Sequence, residues 1–315
     1  VVGSRSDRLA EASLTARMGL TGKQRIAPDV VLDWAIRPDY SQIESDEPQI
    51  DVNTTFALYY PEKRPLFLER KELFETPIQA VYTRTINDPL AILKLSGRLK
   101  NTELGYIAAL DQHTPWLIPF AEQSCDVSSN RRSLSNILRI VLEPLTQSRI
   151  GLMTTTRELE NSFNRVLGMD GTLGLPKNCY FTLQGLGSWT KEPSDSSLFG
   201  GYPWLTFGNR TSKFDGEEFL GTALNTQLSR KGGKYIDFDL WLRNCSPEFR
   251  AENGFIESND FKKQGLAVSL KLYPRRYAVE GVTPKVSLSK ARDYGGHDKE
   301  LSRSYSLSVV AKQQN

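Results

Sequence analysis

Tyr235–Arg243, YIDFDLWLR, decides the fold class. Ile236, Phe238, Leu240 and Leu242 alternate with Asp237, Asp239, Trp241 and Arg243. A period of two places each set on its own face of an extended strand, one apolar and one charged. The same pattern recurs along the chain. Leu93, Leu95, Gly97 and Leu99 oppose Lys94, Ser96 and Arg98, and Leu104, Tyr106, Ala108 and Leu110 follow after the turn Lys100-Asn101. Leu138, Ile140 and Leu142 oppose Arg139, Val141 and Glu143, while Phe181, Leu183, Gly185, Gly187 and Trp189 oppose Thr182, Gln184 and Ser188. Leu266–Leu272 and Tyr305–Val309 repeat the alternation. Short turns such as Pro176-Lys177-Asn178 and Arg230-Lys231-Gly232-Gly233 join neighbours that must be antiparallel, because a parallel return needs a long crossover. The expected fold is all-β, an antiparallel meander of roughly a dozen strands at about ten residues each plus loops.

The totals leave two settings open for such a meander. The 315 residues carry 40 basic and 37 acidic side chains, a net charge of +3, and 39% hydrophobic residues. Mean hydropathy is −0.42. No apolar run reaches the ~18 residues of a membrane-spanning helix. A transmembrane β-barrel would show none either, because every second strand residue faces a polar lumen. The near balance of charge argues against a dedicated nucleic-acid surface. Cys125, Cys179 and Cys245 have no CxxC spacing and read as small apolar residues; His113 and His297 have no partner at ligand spacing. Phosphate-binding loops, dinucleotide fingerprints and G-x-S-x-G elbows are absent. No cofactor and no metal are expected. Residues 1–19 show no basic-then-apolar leader, which fits a mature exported chain and a cytoplasmic one alike.

One stretch breaks the meander. Val30, Leu32, Trp34 and Ile36 form a strand that runs into Pro38, and a proline- and carboxylate-rich segment follows as far as Glu75. Irregular charged backbone cannot face lipid, so within a barrel the segment 37–75 must turn inward as a plug. Its ionic cluster is Asp39, Glu44, Asp46, Glu62, Lys63, Arg64 and Glu69, and its carboxylates are expected to pair with inward-facing Lys94, Arg98, Arg139 and Arg243. Asp237 and Asp239 on the same face of one strand read as further lumen ion-pair partners. A different reading makes Asp39, Glu44, Glu62 and Glu69 the carboxylates of a secreted glycoside-active enzyme. The acids of 44–51 are also oxygen ligands of the kind calcium takes, without the spacing of a known calcium loop. Longer loops are expected at 115–132, 157–166, 193–218 and 245–263. In the third, Phe199, Tyr202, Trp204 and Phe207 either stack on a glycan ligand or pin the loop to the body.

Pro38–Asp46, PDYSQIESD, followed by Tyr59–Glu69, YYPEKRPLFLE, resembles the signature of a family of large bacterial outer-membrane proteins. Weaker similarities lie at 90–114, at 164–170 (NRVLGMD) and at 246–256 (SPEFRAENGFI). The family usually joins an N-terminal carbohydrate-binding module of the family-nine type to a long C-terminal β-barrel region of unknown function. The resemblance implies a large, incomplete transmembrane β-barrel in the outer membrane of a Gram-negative bacterium, with outer-membrane lipid as its surroundings. It implies that the family's N-terminal module and last barrel strands lie outside residues 1–315, so that further polypeptide or other envelope proteins close the barrel. The activity implied is non-catalytic, a pore, uptake or envelope-assembly component, or a structural subunit of a larger envelope complex. Arg37 departs from the family's usual asparagine, and Thr54-Thr55 stands where a longer polar side chain is common.

Overall fold

The computed structural model describes residues 19–40, 56–199, 205–274 and 279–311. In chain order the strands are β1 (Leu20–Ala27), β2 (Val30–Ile36), β3 (Pro89–Leu99), β4 (Thr102–Asp111), β5 (Thr114–Pro119), β6 (Ser124–Ser129), β7 (Ser133–Leu145), β8 (Ser148–Leu159) and β9 (Ser162–Leu175). They continue with β10 (Cys179–Lys191), β11 (Thr206–Phe207), β12 (Arg210–Thr211), β13 (Glu218–Arg230), β14 (Ile236–Cys245), β15 (Phe261–Leu270), β16 (Val279–Arg292) and β17 (Asp298–Ala311). Thirteen of them form one antiparallel sheet in the order β1-β2-β3-β4-β7-β8-β9-β10-β13-β14-β15-β16-β17; β5-β6 and β11-β12 are separate hairpins. Among the described residues β1 and β17 are paired on one side only, so the sheet has two edges.

The two ends of the sheet differ. At one end Pro28-Asp29, Lys100-Asn101, Thr146-Gln147 and Pro176–Asn178 are whole connections. Left-handed backbone at Lys100, Gln147, Lys177 and Asn178 closes three of these turns. At the other end the chain makes its long connections, 37–88, 112–132, 192–217 and 246–260, together with the turns 160–161 and 293–297. Two expected loops are strand-built. The stretch 115–132 is mostly the β5-β6 hairpin, and 157–166 is the ends of β8 and β9 around Glu160-Asn161. Both carry polar residues in alternation, which hid the strand period.

The sheet curls around what lies on its inner face. Lys299, at the start of β17, donates to the carbonyl of Ala121 at the tip of the β5-β6 hairpin (3.2 Å), although that hairpin rises between β4 and β7. A flat sheet would hold β4 and β17 roughly 43 Å apart at ~4.8 Å per strand. Inner-face residues from nine strands, among them Ala35, Ile92, Ile107, Ile137, Met153, Val166, Leu186 and Cys245, share one core cluster with Phe67, Leu73, Phe74, Ala80, Val81 and Ile86 of the excursion 37–88. Phe249, Ala251 and Ile256 of the excursion 246–260 complete it.

The packing on the inner face is close enough to demand glycine. A methyl added at Gly221 on β13 would stand 2.3 Å from Phe249 Cα, against backbone that cannot rotate away. At Gly185, on the outer face of β10, an added methyl meets nothing within 4 Å. Gly221→Ala is therefore expected to lower the unfolding free energy by about 1–3 kcal/mol, with Gly185→Ala leaving it unchanged. Denaturant unfolding reads both, and equal stability of the two variants would refute the inner-face packing.

Candidate functional site: the filled inner face of the sheet

The excursion after β2 lies across the inner face as a chain of short turns. Pro65 opens the one-turn helix Pro65–Leu68, where its missing N–H costs nothing, and the helix buries Phe67. The 3-10 turn Lys71–Phe74 buries Leu73 and Phe74. So short a set of turns leaves many carbonyls without partners, and the strands supply donors. Lys94 on β3, 0% exposed, directs Nζ at the carbonyls of Leu66 (2.8 Å), Phe67 (3.5 Å) and Glu69. Arg139 on β7, 1% exposed, donates Nε to the Leu73 carbonyl (3.1 Å) and clamps Asp170 on β9 with both terminal nitrogens, Nη2 to Oδ1 at 2.9 Å. Arg157 on β8, 1% exposed, reaches the carbonyls of Thr85 (2.9 Å) and Pro115 (2.8 Å). Gln184 on β10 completes the row, accepting from Ile78 N–H (2.6 Å) and donating to its carbonyl (3.2 Å). Buried charges and carbonyls each need such partners.

Glu62 and Arg64 lock the excursion onto itself. Arg64 Nε and Nη2 hold the two oxygens of Glu62 at 2.9 and 2.7 Å, while its donors also reach the carbonyls of Ile86 (2.7 Å) and Thr83 (2.8 Å). The guanidinium lies 4.4 Å over the Phe67 ring. Glu62 accepts further from Thr83 Oγ1 (2.5 Å) and from Arg64 N–H (2.8 Å). Burial opposes ionisation of Glu62, but the hydrogen bonds and charge of Arg64, with Thr83, outweigh it and hold the carboxyl down at about 2.

The excursion 246–260 packs beside the first. Tyr82 N–H donates to the Asn253 carbonyl (2.7 Å) and Phe255 N–H to the Gln79 carbonyl (2.8 Å). Tyr59, Tyr82 and Phe255 form a ring triad with centroids 5.1–5.3 Å apart. Asn164 on β9 holds the backbone of this segment, donating to the Arg250 carbonyl (3.1 Å) and accepting from Glu252 N–H (3.0 Å). Arg250 pairs with Glu192 at 2.6 Å. Burial pushes the Glu252 carboxyl up to about 7 against the pull of Arg157 and Arg250.

Residues 3–104 match a family model described as a domain of unknown function, DUF5916. The match takes in β1 to β3 and the first excursion. No curated protein matches the chain.

The residues singled out in the sequence fall into distinct places. Glu62 and Arg64 form the buried pair just described, and Lys63 lies exposed beside them with its N–H on Glu62 Oε1 (3.0 Å). Glu69 pairs with Lys23 of β1, and Asp39 is exposed beyond the end of β2. Glu44 and Asp46 lie outside the described residues, as do Tyr202, Trp204 and the side chain of Phe199. Among the described residues, Lys94 and Arg139 donate to backbone carbonyls of the excursion. Arg98, at the open end of β3, pairs with Glu103 (3.5 Å) and Glu143. Arg243 donates to Asn225 (3.1 Å), Asp239 accepts from Gln227 (2.8 Å) and Asp237 pairs with Lys271 (2.6 Å). In place of the expected pairing with the excursion's carboxylates, Lys94 and Arg139 take its main-chain carbonyls, because short turns expose more carbonyls than they can bond themselves, while Arg98 and Arg243 bond to side chains of the sheet. Phe207 is buried, with its ring 5.3 Å from Phe219 and 6.2 Å from Phe120.

Arg157, Asn164, Asp170 and Arg250 carry much of the contact and were missed as site residues. Asp170 and Asn164 stand at the alternate positions of β9, where the polar member of each strand pair is the available signal; Arg157 was hidden by reading 157–166 as a loop. Because its folded value is depressed, ionised Glu62 contributes stability in full above the ordinary 4.5, and that contribution is lost as pH falls toward about 2. Amide exchange at 60–67 and 83–86 should accelerate across this window in the native protein. Glu62→Gln should exchange faster at neutral pH and show a flatter acid profile; identical profiles would exclude the Glu62–Arg64 lock.

Proposed function

We propose that this chain is the β-barrel region of a Gram-negative outer-membrane protein, with the excursions 37–88 and 246–260 filling its lumen as a plug. The observation that carries this reading is the distribution of side chains on the sheet. Its buried inner face holds Lys94, Arg139, Arg157, Asn164, Gln184 and Asn225, while its open outer face holds Leu93, Leu134, Leu152, Leu167, Met169, Leu183, Leu220, Leu240, Leu288 and Leu307. A β domain surrounded by water would place them the other way round.

The outer face is also banded. At the long-loop end Phe163 and Trp189 meet edge to face at 4.8 Å, with Arg165 over the Phe163 ring at 4.2 Å and Trp189 Nε1 donating to Glu218 (2.7 Å). At the short-turn end of β10 stands Phe181, with Tyr235 exposed beside β14. Trp189 and Phe181 are eight residues apart, roughly 27 Å along a strand, or about 20 Å of thickness at the ~40° tilt of membrane barrels. Their apolar band is ~25 Å tall between aromatic girdles, with tight turns at one rim and long loops at the other. In lipid the edges of β1 and β17 need partners, which closure onto each other or further polypeptide supplies.

Within this reading the role is non-catalytic: a gated or plugged pore serving uptake, or a component of envelope assembly. The match to a family of unknown function leaves the cargo open. Native protein from outer membranes should migrate differently on gels before and after boiling, as closed barrels do. In planar bilayers Arg64→Ala, which releases the carbonyls of Thr83 and Ile86, should raise conductance while heat-modifiable migration is kept. No migration shift would end the barrel reading; unchanged conductance in a correctly assembled variant would end the plug reading alone.

A further inference from the structure

We propose that Glu192, Asp215 and Glu217 form a binding site for a hard divalent cation, calcium, at the long-loop end of β10 and β13. The three residues each place a carboxylate oxygen within 4.8 Å of the other two. Pairing past the strand ends explains the crowding. Lys191 is registered with Glu218 at the end of the ladder, and Glu192 N–H donates to the Glu217 carbonyl (2.9 Å). Ser194 then bridges antiparallel to Asp215. Glu192 and Glu217 thus stand directly opposite each other, with Asp215 two residues along on the same side. Like charges in direct cross-strand opposition destabilise a ladder unless something positive lies between them.

Arg250 takes one oxygen of Glu192 and Arg210 lies 3.5 Å from Glu217. An independent observation points inward. Glu192 is 1% exposed, yet its Oε2 has no hydrogen-bond partner among the described residues. Thr211 Oγ1 is likewise buried and without a partner among the described residues, and the Thr211 N–H donates to Glu217 Oε2 (3.1 Å). A carboxylate oxygen buried at this depth without a donor is costly, and a cation satisfies it.

The donor set selects the cation class. Every available group is oxygen, which excludes a zinc-type site of nitrogen and sulfur ligands. Carboxylates of uneven depth with a hydroxyl suit the 6–8-coordinate, flexible shell of calcium, completed by water, better than the strict octahedron of magnesium. Bound calcium would tie the stretch 205–217, whose Phe207 and Phe214 are buried against Phe219 and Trp116, to the rim of the sheet.

Calorimetric titration of the whole, chelator-stripped protein in detergent with calcium chloride tests the proposal. One saturable site is expected, with Kd on the order of 10⁻⁴–10⁻³ M as in extracellular modules. Asp215→Asn and Glu217→Gln should each weaken it by roughly tenfold or more, and calcium should slow tryptic cleavage after Arg210 and Lys213 in the native protein but not in these variants. Asp215 is exposed, so Asp215→Asn keeps the test informative if Glu217→Gln misfolds. Absence of saturable heat, equal binding by native and Asp215→Asn protein, or equal affinity for magnesium would each overturn a calcium site here.

Discussion

Three full charges on the inner face of the sheet, Lys94, Arg139 and Arg157, are 0–1% exposed, and each must find oxygen. A buried cation without partners costs several kcal/mol or discharges, so the inner face cannot stand open or pack against an apolar layer alone. The excursion 37–88 meets that demand with backbone carbonyls at 66, 67, 69, 73 and 85, joined by the Pro115 carbonyl on Arg157. The dependence runs both ways. A segment of one-turn helices and 3-10 turns has more carbonyls than internal donors, and it keeps its shape only where strand side chains supply them. Apolar residues between the charges then seal the contact, Leu73 and Phe74 lying against β4 and β7.

The same constraint explains why the meander curls. Inner-face residues from β2 to β14 converge on one filling, which a flat sheet of this width could not touch. The outer face is left mostly with leucines, a few glycines and aromatic ends, with Thr154, Arg165, Thr226 and Gln264 among them, and no element of the described chain covers it. Two faces of opposite character, each consistent along more than two hundred residues, argue for one physical setting and not for local accident. Loops then sort by rim: one rim carries the two- and three-residue turns, and the other gathers the carboxylates and aromatics of the long excursions.

Much of this was legible in the alternation. Ile236–Arg243 and Phe181–Trp189 name their faces directly, and the proline at 38 marks where the chain leaves the sheet. Charge and irregularity marked 37–75 as a break in the meander, and among its described residues 56–75 Phe67, Leu73 and Phe74 pack on the inner face of the sheet. Details that depend on three dimensions were not legible. No local signal distinguishes a lysine that pairs with a carboxylate from one that caps carbonyls, as Lys94 does. Thr and Ser in β8 and in the β5-β6 hairpin weakened the apolar period and disguised strands as loops. The acids at 192, 215 and 217 are far enough apart in sequence that only the continued register of β10 and β13 brings them together.

The central claim is that the apolar face of the sheet meets lipid and its charged face meets the chain's own backbone. Nitroxide labels at single cysteines along 183–188, in protein with Cys125, Cys179 and Cys245 replaced and reconstituted in bilayers, test it most directly through collision with oxygen and with a water-soluble nickel complex. The account predicts a period of two: Leu183, Gly185 and Gly187 open to oxygen and closed to nickel, Gln184, Leu186 and Ser188 shielded from both. Nickel access at Leu183, Gly185 and Gly187 equal to that of an exposed turn such as Lys177 would contradict it.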